Sequence, residues 1–367
     1  MVVKNNYQEC LTNLACSIRK YFNLEYHHNS LPEIDKILDE KKPKNVIVIL
    51  LDGMGSRILE RTLDSDSFFR KNMLRELTTV FPATTTAATT SMRTGLNPVE
   101  HGWLGWNTYI PSIDKVITLF LNCDKETKEI SQDFLRVKED VLVTDTIANA
   151  INRETNYFAK EYFPFGDSPY QNLDDMLNRV LEDSRRPEKK YLYAYNDDPD
   201  ATMHREGPDT KHVKNLIRER NKKIEEFCNK LEDSVVIVLA DHGHIKIDTI
   251  DLTNYKEIYD LMERTTSIEQ RATSFKIKDG CHELFVERFN RLFGAHFDLY
   301  PKQEIIESKL FGDGVEIKMF RESIGDYIAI AKSNYSLVTP GDSILVSTHA
   351  GYTDDEIYVP LIVKTIK

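Results

Sequence analysis

The sequence predicts an α/β fold in which a mostly parallel central sheet is covered by helices on both faces. Two observations lead to this prediction. Four short apolar segments, rich in β-branched and aromatic residues, each end in a loop that carries Asp or His, and segments with helical spacing of apolar residues accompany them. Alternating buried strands and amphipathic helices are typical of parallel sheets, because each crossover places a helix against the sheet.

The four predicted strands are short runs of apolar residues, as expected for strands that are buried on both faces. They are NVIVILL (45–51), YLYAY (191–195), SVVIVLA (234–240) and SILVS (343–347). The first is followed by DGMGS, in which the glycines permit a tight turn and Ser56 is a predicted cap of the next helix.

Helices are predicted on both sides of these strands in the sequence. The first 40 residues are expected to be helical and peripheral, with a short helix in LPEIDKILDEKKPK. A longer helix is predicted in 211–233, where apolar residues recur at helical spacing, namely Val213, Leu216, Ile217, Ile224, Phe227 and Leu231. We expect one domain over 1–367, in which about 245–335, with a helix at 254–264, forms an inserted or peripheral subdomain.

Composition restricts the class of protein. The chain has 367 residues, 41% hydrophobic and 29% charged, which suits a globular protein with a sizeable core. Its formal charge of −11 argues against a nucleic-acid partner, which would require a basic face. No apolar run approaches the ~20 residues of a membrane span, and no signal peptide is predicted. The five cysteines form no CxxC pair, so reduced thiols and a cytoplasmic location are expected.

Metal-ligating residue types lie directly after all four predicted strands. Ligands of open α/β sheets bind beyond the carboxyl ends of the strands, so these loops could meet at one edge. A single Asp after a strand is more often a turn former or helix cap, but four such loops together favour a metal site. Imidazoles and carboxylates suit zinc and similar divalent ions. The candidate ligands are Asp52, Asp200, His204, Asp241, His242 and His349.

The threonine-rich stretch FPATTTAATTSMRTG (81–95) predicts an extended approach, a turn marked by Pro82 and a helix from about Thr85 to Arg93 that ends at Gly95. A threonine at the start of this helix could act as a nucleophile, because a helix N-terminus favours a bound phosphate. Local pattern alone supports equally well a threonine at position 84 that only caps the helix.

Five ordered blocks resemble the type I phosphodiesterase/nucleotide pyrophosphatase branch of the alkaline phosphatase superfamily. They are VILLDGMG (48–55), FPATTTAATTSMRTGLNPVEHGWLG (81–105), DPDATMHREGP (198–208), LADHGH (239–244) and STHAGYTDDEIYVPLIV (347–363). The ordered set, rather than any one block, carries the resemblance. The chain departs from many eukaryotic members at Ala87 and Ala88, where they have Pro and a phosphate-binding Asn; several bacterial members have small residues there.

This resemblance implies roles for individual residues. One divalent ion would be held by Asp52, Asp241 and His242 together with the nucleophile, and a second by the remaining Asp and two His of the candidate set, Asp200, His204 and His349. The family's nucleophile lies four residues after the Phe of its FP block, which places it at Thr85, with Thr84 and Thr86 as alternatives. Aromatic residues that could contact the substrate, or only pack at the rim, are Trp103, Trp106 and Tyr109.

The resemblance implies a two-metal phosphodiesterase or nucleotide pyrophosphatase that acts through a phosphothreonine intermediate. Zinc is the expected metal, with manganese or magnesium as alternatives, and the expected partner is a small phosphate ester such as a nucleotide. The alternative functions are a phosphomonoesterase, a phosphonoacetate-hydrolase-like enzyme or a phosphoglycerate-mutase-like phosphotransferase with the same metal site. A metal-binding module without catalysis is a further alternative. The sequence leaves the oligomeric state open.

Overall fold

The computed structural model describes residues 4–367, so the first three residues of the predicted domain lie outside it. Its strands are β1 (Asn45–Leu51), β2 (Met73–Thr78), β3 (Asn107–Ile110), β4 (Lys115–Thr118), β5 (Cys123–Asp124), β6 (Phe158–Tyr162), β7 (Lys190–Asn196), β8 (Ser234–Leu239), β9 (Ile245–Lys246), β10 (Asp248–Asp251), β11 (Ser267–Ile268), β12 (Ala272–Phe275), β13 (Phe297–Pro301), β14 (Tyr327–Ala331), β15 (Tyr335–Val338), β16 (Ser347–Thr348) and β17 (Tyr358–Ile366).

The α-helices alternate with these strands along much of the chain. They are α1 (Leu11–Tyr21), α2 (Pro32–Lys41), α3 (Ser56–Thr62), α4 (Phe68–Lys71), α5 (Thr85–Thr94), α6 (Pro98–His101), α7 (Gln132–Val141), α8 (Ile147–Glu154), α9 (Leu173–Ser184), α10 (Asp200–Glu206), α11 (Lys211–Cys228), α12 (Lys256–Tyr259), α13 (His282–Phe293), α14 (Lys302–Glu307), α15 (Phe320–Ser323) and α16 (Asp354–Ile357). Short 3-10 helices are Pro111–Ile113, Leu119–Leu121 and Leu252–Asn254.

The largest core surrounds a six-stranded sheet with the order β2-β17-β8-β1-β7-β6. Strands β8, β1, β7 and β6 are parallel, with Val46 opposite both Tyr191 and Val235, whereas β17 runs antiparallel to β8 and β2. Every residue of β1, β7 and β8 is buried, which explains why these strands are continuous apolar runs. The mostly parallel sheet confirms the predicted α/β class.

Two groups of helices pack around this sheet. Helices α1, α2, α5 and α8 contact one another in one group, and α3, α4, α9 and α11 in the other. The apolar stripe of α11 faces inward, since Val213, Ile217 and Ile224 are fully buried. Helix α5 follows the predicted bounds closely, and it ends at Gly95, whose left-handed φ of 78° suits a residue without a Cβ.

A second, antiparallel sheet has seven strands in the order β13-β14-β12-β11-β3-β4-β5. Residues 267–331 supply four of these strands and residues 107–124 supply the other three. Its two faces carry separate apolar clusters, one around Phe285 and Phe289 and one around Phe81 and Phe311. Among residues 4–367, no helix is both long enough and apolar enough to cross a membrane.

Three local predictions were wrong. SILVS is not a buried strand, because only Ser347–Thr348 pairs with another strand and Ile344 is 72% exposed. The helix predicted at 254–264 is limited to Lys256–Tyr259, since Met262 instead forms a bridge with Ile277. Ser56 is the first residue of α3 rather than its cap, and the capping position belongs to Gly55.

Candidate active site

The carboxyl ends of β1, β7 and β8 bring three predicted carboxylates together. Asp52 directly follows β1, Asp241 lies two residues beyond β8, and Asp200 lies four residues beyond β7. Backbone hydrogen bonds connect these loops, since the N–H of Asp200 donates to the carbonyl of Asp52 at 3.1 Å. The N–H of Gly53 donates to Oδ1 of Asp241, also at 3.1 Å. Parallel neighbouring strands thus place distant sequence segments at one sheet edge.

Two glycines allow the loops after β1 and β8 to approach each other closely. A Cβ added to Gly55 would lie 2.5 Å from the Cα of Gly243, and a Cβ on Gly243 would lie 1.8 Å from the carbonyl oxygen of Asp355. No side chain larger than hydrogen therefore fits at either position without backbone movement. This contact holds the DGMG and DHGH segments of the sequence at a fixed separation, and with them the carboxylate and imidazole groups that they carry.

The first cluster of possible metal ligands consists of Asp52, Asp241 and His242, all buried, with ligand atoms within 4.8 Å of one another. His242 Nε2 lies 3.2 Å from Oδ1 of Asp52 and 3.6 Å from Oδ2 of Asp241. That Asp241 oxygen is buried and has no hydrogen-bond partner within the described chain. A cation between these three groups would satisfy it.

Thr85 is the first residue of α5, and its side chain points at this first cluster. Its Oγ1 lies 3.2 Å from His242 Nε2 and 3.3 Å from Asp52 Oδ2. The neighbouring hydroxyls point elsewhere: Thr84 Oγ1 donates to Glu269 at 2.6 Å, and Thr86 Oγ1 is buried with no hydrogen-bond partner among residues 4–367. Of the three adjacent threonines, Thr85 therefore has the hydroxyl that contacts the first cluster.

The second cluster consists of Asp200, His204 and His349, again with ligand atoms within 4.8 Å of one another. His204 follows Asp200 by one turn of α10, and its Nε2 lies 3.2 Å from Asp200 Oδ2. His349 Nε2 lies 3.9 Å from Asp200 Oδ1. The two clusters adjoin, because the ring of His349 stacks on the ring of His242. The structure thus brings all seven predicted site residues into one place.

The three predicted histidines are oriented as metal ligands would be. Nδ1 of His204 contacts the carbonyl of Ser347 at 2.8 Å, that of His242 the carbonyl of Gly243 at 2.9 Å, and that of His349 the carbonyl of Ala83 at 2.9 Å. A carbonyl oxygen can only accept, so each Nδ1 carries the proton. In the neutral imidazole this leaves the Nε2 lone pair directed into the site, the arrangement found around protein-bound metals.

The electrostatics of the site favour bound cations. Burial raises the pKa of Asp52, and the nearby Asp200 carboxylate raises it further. Burial likewise raises the pKa of Asp241, with a further contribution from Asp52. At His204 burial acts to lower the pKa, but the Asp200 carboxylate outweighs it and raises the pKa to about 9. Once a cation displaces the His204 proton, three converging carboxylates and three imidazoles form a donor set that fits two divalent ions.

Sequence reasoning missed three residues of this site. The hydroxyl of Tyr195 donates to Oδ2 of Asp52. Oε1 of Glu269 accepts from Thr84 and, at 2.7 Å, from the backbone N–H of Trp106. Nε2 of His244 lies 3.1 Å from Oδ1 of Asp200. The position of His244, two residues after His242 in DHGH, was a usable signal, whereas nothing in the sequence marks Glu269.

The predicted substrate-side aromatics differ in their surroundings. Trp103 is buried and donates through Nε1 to the carbonyl of Val143 at 2.9 Å, so it packs in the core. The ring of Tyr109 is covered by the Arg264 guanidinium at 3.4 Å. Trp106 is 37% exposed, and its backbone bonds to Glu269, which places it at the rim of the site.

The two alanines at which the chain departs from the Pro–Asn pattern of the family it resembles belong to the core. Ala87 and Ala88 are fully buried in the main apolar cluster, on helix α5, which packs against α1. Small side chains suit that close helix contact. Their methyl groups offer no hydrogen-bond donor to the site.

Comparison with known proteins identifies the same family that the sequence blocks resemble. The model of the family described as "Type I phosphodiesterase / nucleotide pyrophosphatase" matches residues 46–350. Among solved structures, murine ectonucleotide pyrophosphatase/phosphodiesterase 5, in an inactive threonine-to-alanine form with AMP, superimposes with a TM-score of 0.66 at 18% identity, over 86% of this chain and 87% of the other. The human protein of the same name gives 0.63 at 17%, over 87% of each chain. No curated protein sequence matches the chain significantly.

Proposed function

The chain belongs to the type I phosphodiesterase/nucleotide pyrophosphatase family, and we propose that it hydrolyses phosphodiester or pyrophosphate bonds of small substrates such as nucleotides. The observation that carries this proposal is the contact of Thr85 Oγ1 with Asp52 and His242, at 3.2–3.4 Å, at the start of a helix. A hydroxyl surrounded by metal-ligating groups is the arrangement that phosphoryl transfer to a side chain requires.

Two divalent ions are part of this proposal. One would be held by Asp52, Asp241, His242 and Thr85, and the other by the second cluster, Asp200, His204 and His349. Bound there, the ions would stabilise charge on the attacking and leaving oxygens of the phosphate. We propose zinc, since the donors are imidazoles and carboxylates, with manganese and magnesium to be tested beside it. Bound cations would supply the positive charge that attracts a phosphate anion, which the converging carboxyl groups alone do not offer.

In the proposed reaction Thr85 Oγ1 attacks phosphorus in line with the leaving group. A bond forms between Oγ1 and phosphorus as the bond to the leaving oxygen breaks. The hydroxyl proton of Thr85 passes to solvent, and the leaving oxygen takes up a proton from solvent and departs as an alcohol or, from a pyrophosphate, as a phosphate. Water then cleaves the phosphothreonine and restores the hydroxyl. The first backbone N–H groups of α5 have no partner within the helix, so they can donate to the phosphate oxygens at Thr85.

A nucleotide substrate is supported by one comparison. The murine relative was solved with AMP, in an inactive form with a threonine replaced by alanine. We extend the nucleotide class to this chain as part of the proposal. The exposed ring of Trp106 at the rim of the site could stack on a base.

The test compares substrates on one zinc-loaded preparation: bis-p-nitrophenyl phosphate, p-nitrophenyl phosphate, a dinucleotide, ATP and phosphonoacetate. We expect turnover of the diesters or of ATP to exceed that of the monoester, and we expect chelation to abolish it. Faster turnover of the monoester or of phosphonoacetate would assign the site to one of the alternative reactions. A metal-loaded protein inert towards the whole panel would leave a binding module as the remaining function.

A further inference from the structure

His244 is a buried imidazole beside the second cluster that the predicted ligand set does not use. Its side chain is fully buried, and its ring lies 4.7 Å from the ring of His204 and 5.6 Å from that of His349, measured between centroids. Its Nε2 lies 3.1 Å from Asp200 Oδ1, closer than His349 Nε2, which is 3.9 Å from the same oxygen. His244 Nε2 is thus as close to the Asp200 carboxylate as the Nε2 atoms of the predicted ligands His204 and His349 are.

The hydrogen bonds of Ser347 determine which nitrogen of His244 carries the proton. Ser347 Oγ lies 2.6 Å from the carbonyl oxygen of Met203. Because a carbonyl oxygen only accepts, the Ser347 hydroxyl donates its proton to Met203. Nδ1 of His244 lies 2.9 Å from the same Oγ, so this nitrogen must donate to it. In the neutral imidazole, Nε2 of His244 therefore has a lone pair and no proton.

In this tautomer His244 has no proton on Nε2 to donate to Asp200. Nε2 of His244 and Oδ1 of Asp200 are both buried, and neither has a hydrogen-bond partner within residues 4–367 in spite of their 3.1 Å separation. Two acceptors at this distance repel each other unless a cation lies between them. Ligand atoms that share one zinc ion at bond lengths of about 2.0–2.2 Å are separated by roughly 3–3.5 Å, so the observed spacing suits a shared ion.

We propose that His244 binds the same ion as Asp200, His204 and His349, which gives the second site four protein ligands. The inference rests on the metal site of the proposed function but not on its reaction. The first site has Asp52, Asp241, His242 and the reactive Thr85. A site with four fixed protein ligands, three of them imidazoles, should retain its ion more tightly than a site that shares a ligand with catalysis.

The first test uses the wild-type protein and needs no activity. Protein loaded with one equivalent of zinc is studied by X-ray absorption, which counts imidazole ligands. We expect three imidazoles per zinc, because the four-ligand site fills first. A count of two or fewer would overturn the proposal. The measurement does not depend on turnover, so it can succeed even if no phosphate ester proves to be a substrate.

The second test measures zinc affinity by chelator competition and cobalt absorption spectra of His244→Ala and His244→Gln. We expect both variants to lose about 100-fold in affinity for one ion and to change its cobalt spectrum. His101→Gln is the matched control, since His101 is equally buried and its ring bonds to Ser91 and the Trp103 backbone rather than to a predicted metal ligand. Wild-type affinity in His244→Gln, whose amide can donate to Asp200, would show that His244 only hydrogen-bonds, and would overturn the proposal.

Discussion

The imidazole rings of His242 and His349 stack with their centroids 3.7 Å apart and their planes inclined by 24°. His242 belongs to the first cluster and His349 to the second, so the two clusters are in direct contact through these rings. Burial lowers the pKa of His349, and the adjacent His242 contributes further. A protonated His349 would be costly in this buried position, which favours its neutral imidazole, the form that can bind an ion.

The stacking predicts that removal of one ring affects both sites. In His349→Ala the second cluster loses a ligand, and His242 loses the surface that fixes its ring. We expect about 100-fold weaker binding at the second site and about tenfold weaker binding at the first. Calorimetric zinc titration with elemental analysis measures both. His212→Ala, which removes an exposed histidine, is the control. Wild-type zinc affinity at the first site of His349→Ala would show that the ring stacking does not couple the two sites.

The nucleophile prediction concerns the hydroxyl at position 85. Thr85→Ala should lower kcat on a phosphodiester by at least about 1,000-fold, because no other hydroxyl of the run contacts both Asp52 and His242. Thr85→Ser should retain activity within about tenfold, since it keeps the hydroxyl. The control is Thr86→Val, which removes a buried hydroxyl without a hydrogen-bond partner in the described chain. Thr85→Ala with wild-type turnover would refute the assignment.

We expect the Tyr195 hydroxyl to position the Asp52 carboxylate in the first cluster. This hydroxyl donates to Asp52 Oδ2, so Tyr195→Phe removes one of the two hydroxyl contacts of that carboxylate oxygen and leaves only Thr85 Oγ1, at 3.3 Å, among the described donors. We expect kcat and the zinc affinity of the first site each to decrease about tenfold. Tyr193→Phe is a close control, because the Tyr193 hydroxyl is buried on the same strand without a partner among the described residues. Equal effects in both variants would indicate general loosening of the core.

Metal affinity should depend on pH through His204. The Asp200 carboxylate overcomes the effect of burial and raises the pKa of His204 to about 9, so the metal-free imidazole is protonated at pH 7. A metal ion must displace that proton. Zinc affinity of the second site should therefore rise about tenfold per pH unit from pH 7 and level off near the pKa of His204. Proton release measured calorimetrically in two buffers checks this, and His204→Asn should flatten the dependence.

The sequence identified the strands and the groups at their ends because both are encoded locally. β1, β7 and β8 are continuous apolar runs, and Asp52, Asp200 and Asp241 follow them at short distances. Parallel pairing then places these loops at one edge without further information. SILVS has a similar apolar composition, but most of it lies at the surface. Its prediction as a buried strand failed because the pattern alone cannot show whether a neighbouring strand is available to pair.

The choice among adjacent threonines could not be made from local pattern, since Thr84, Thr85 and Thr86 have the same chemistry. It depends on side-chain direction, which the register of α5 and a distant residue, Glu269, determine together. The contribution of Tyr195 is hidden for a related reason. A tyrosine inside an apolar strand is predicted to be a core residue. Only the placement of β7 beside β1 brings its hydroxyl to Asp52.

Glu269 predicts a second pH effect, on substrate binding rather than on the metal. Burial raises the pKa of Glu269 to about 7, although the hydrogen bonds from Thr84 and the Trp106 backbone act to lower it. The carboxyl group is therefore neutral below about pH 7 and ionised above it. Because Thr84 adjoins Thr85, an ionised Glu269 would repel an anionic phosphate ester bound at the proposed nucleophile.

For the metal-saturated protein, if it acts as proposed, we expect KM for a phosphodiester to rise roughly three- to tenfold between pH 6 and pH 8. Glu269→Gln should abolish most of this rise, since its amide oxygen still accepts from Thr84 and Trp106 but carries no charge. Glu287→Gln, at an exposed position of α13, is the matched control for loss of one negative charge. KM profiles that rise equally in Glu269→Gln and in the wild type would assign the pH dependence to another group.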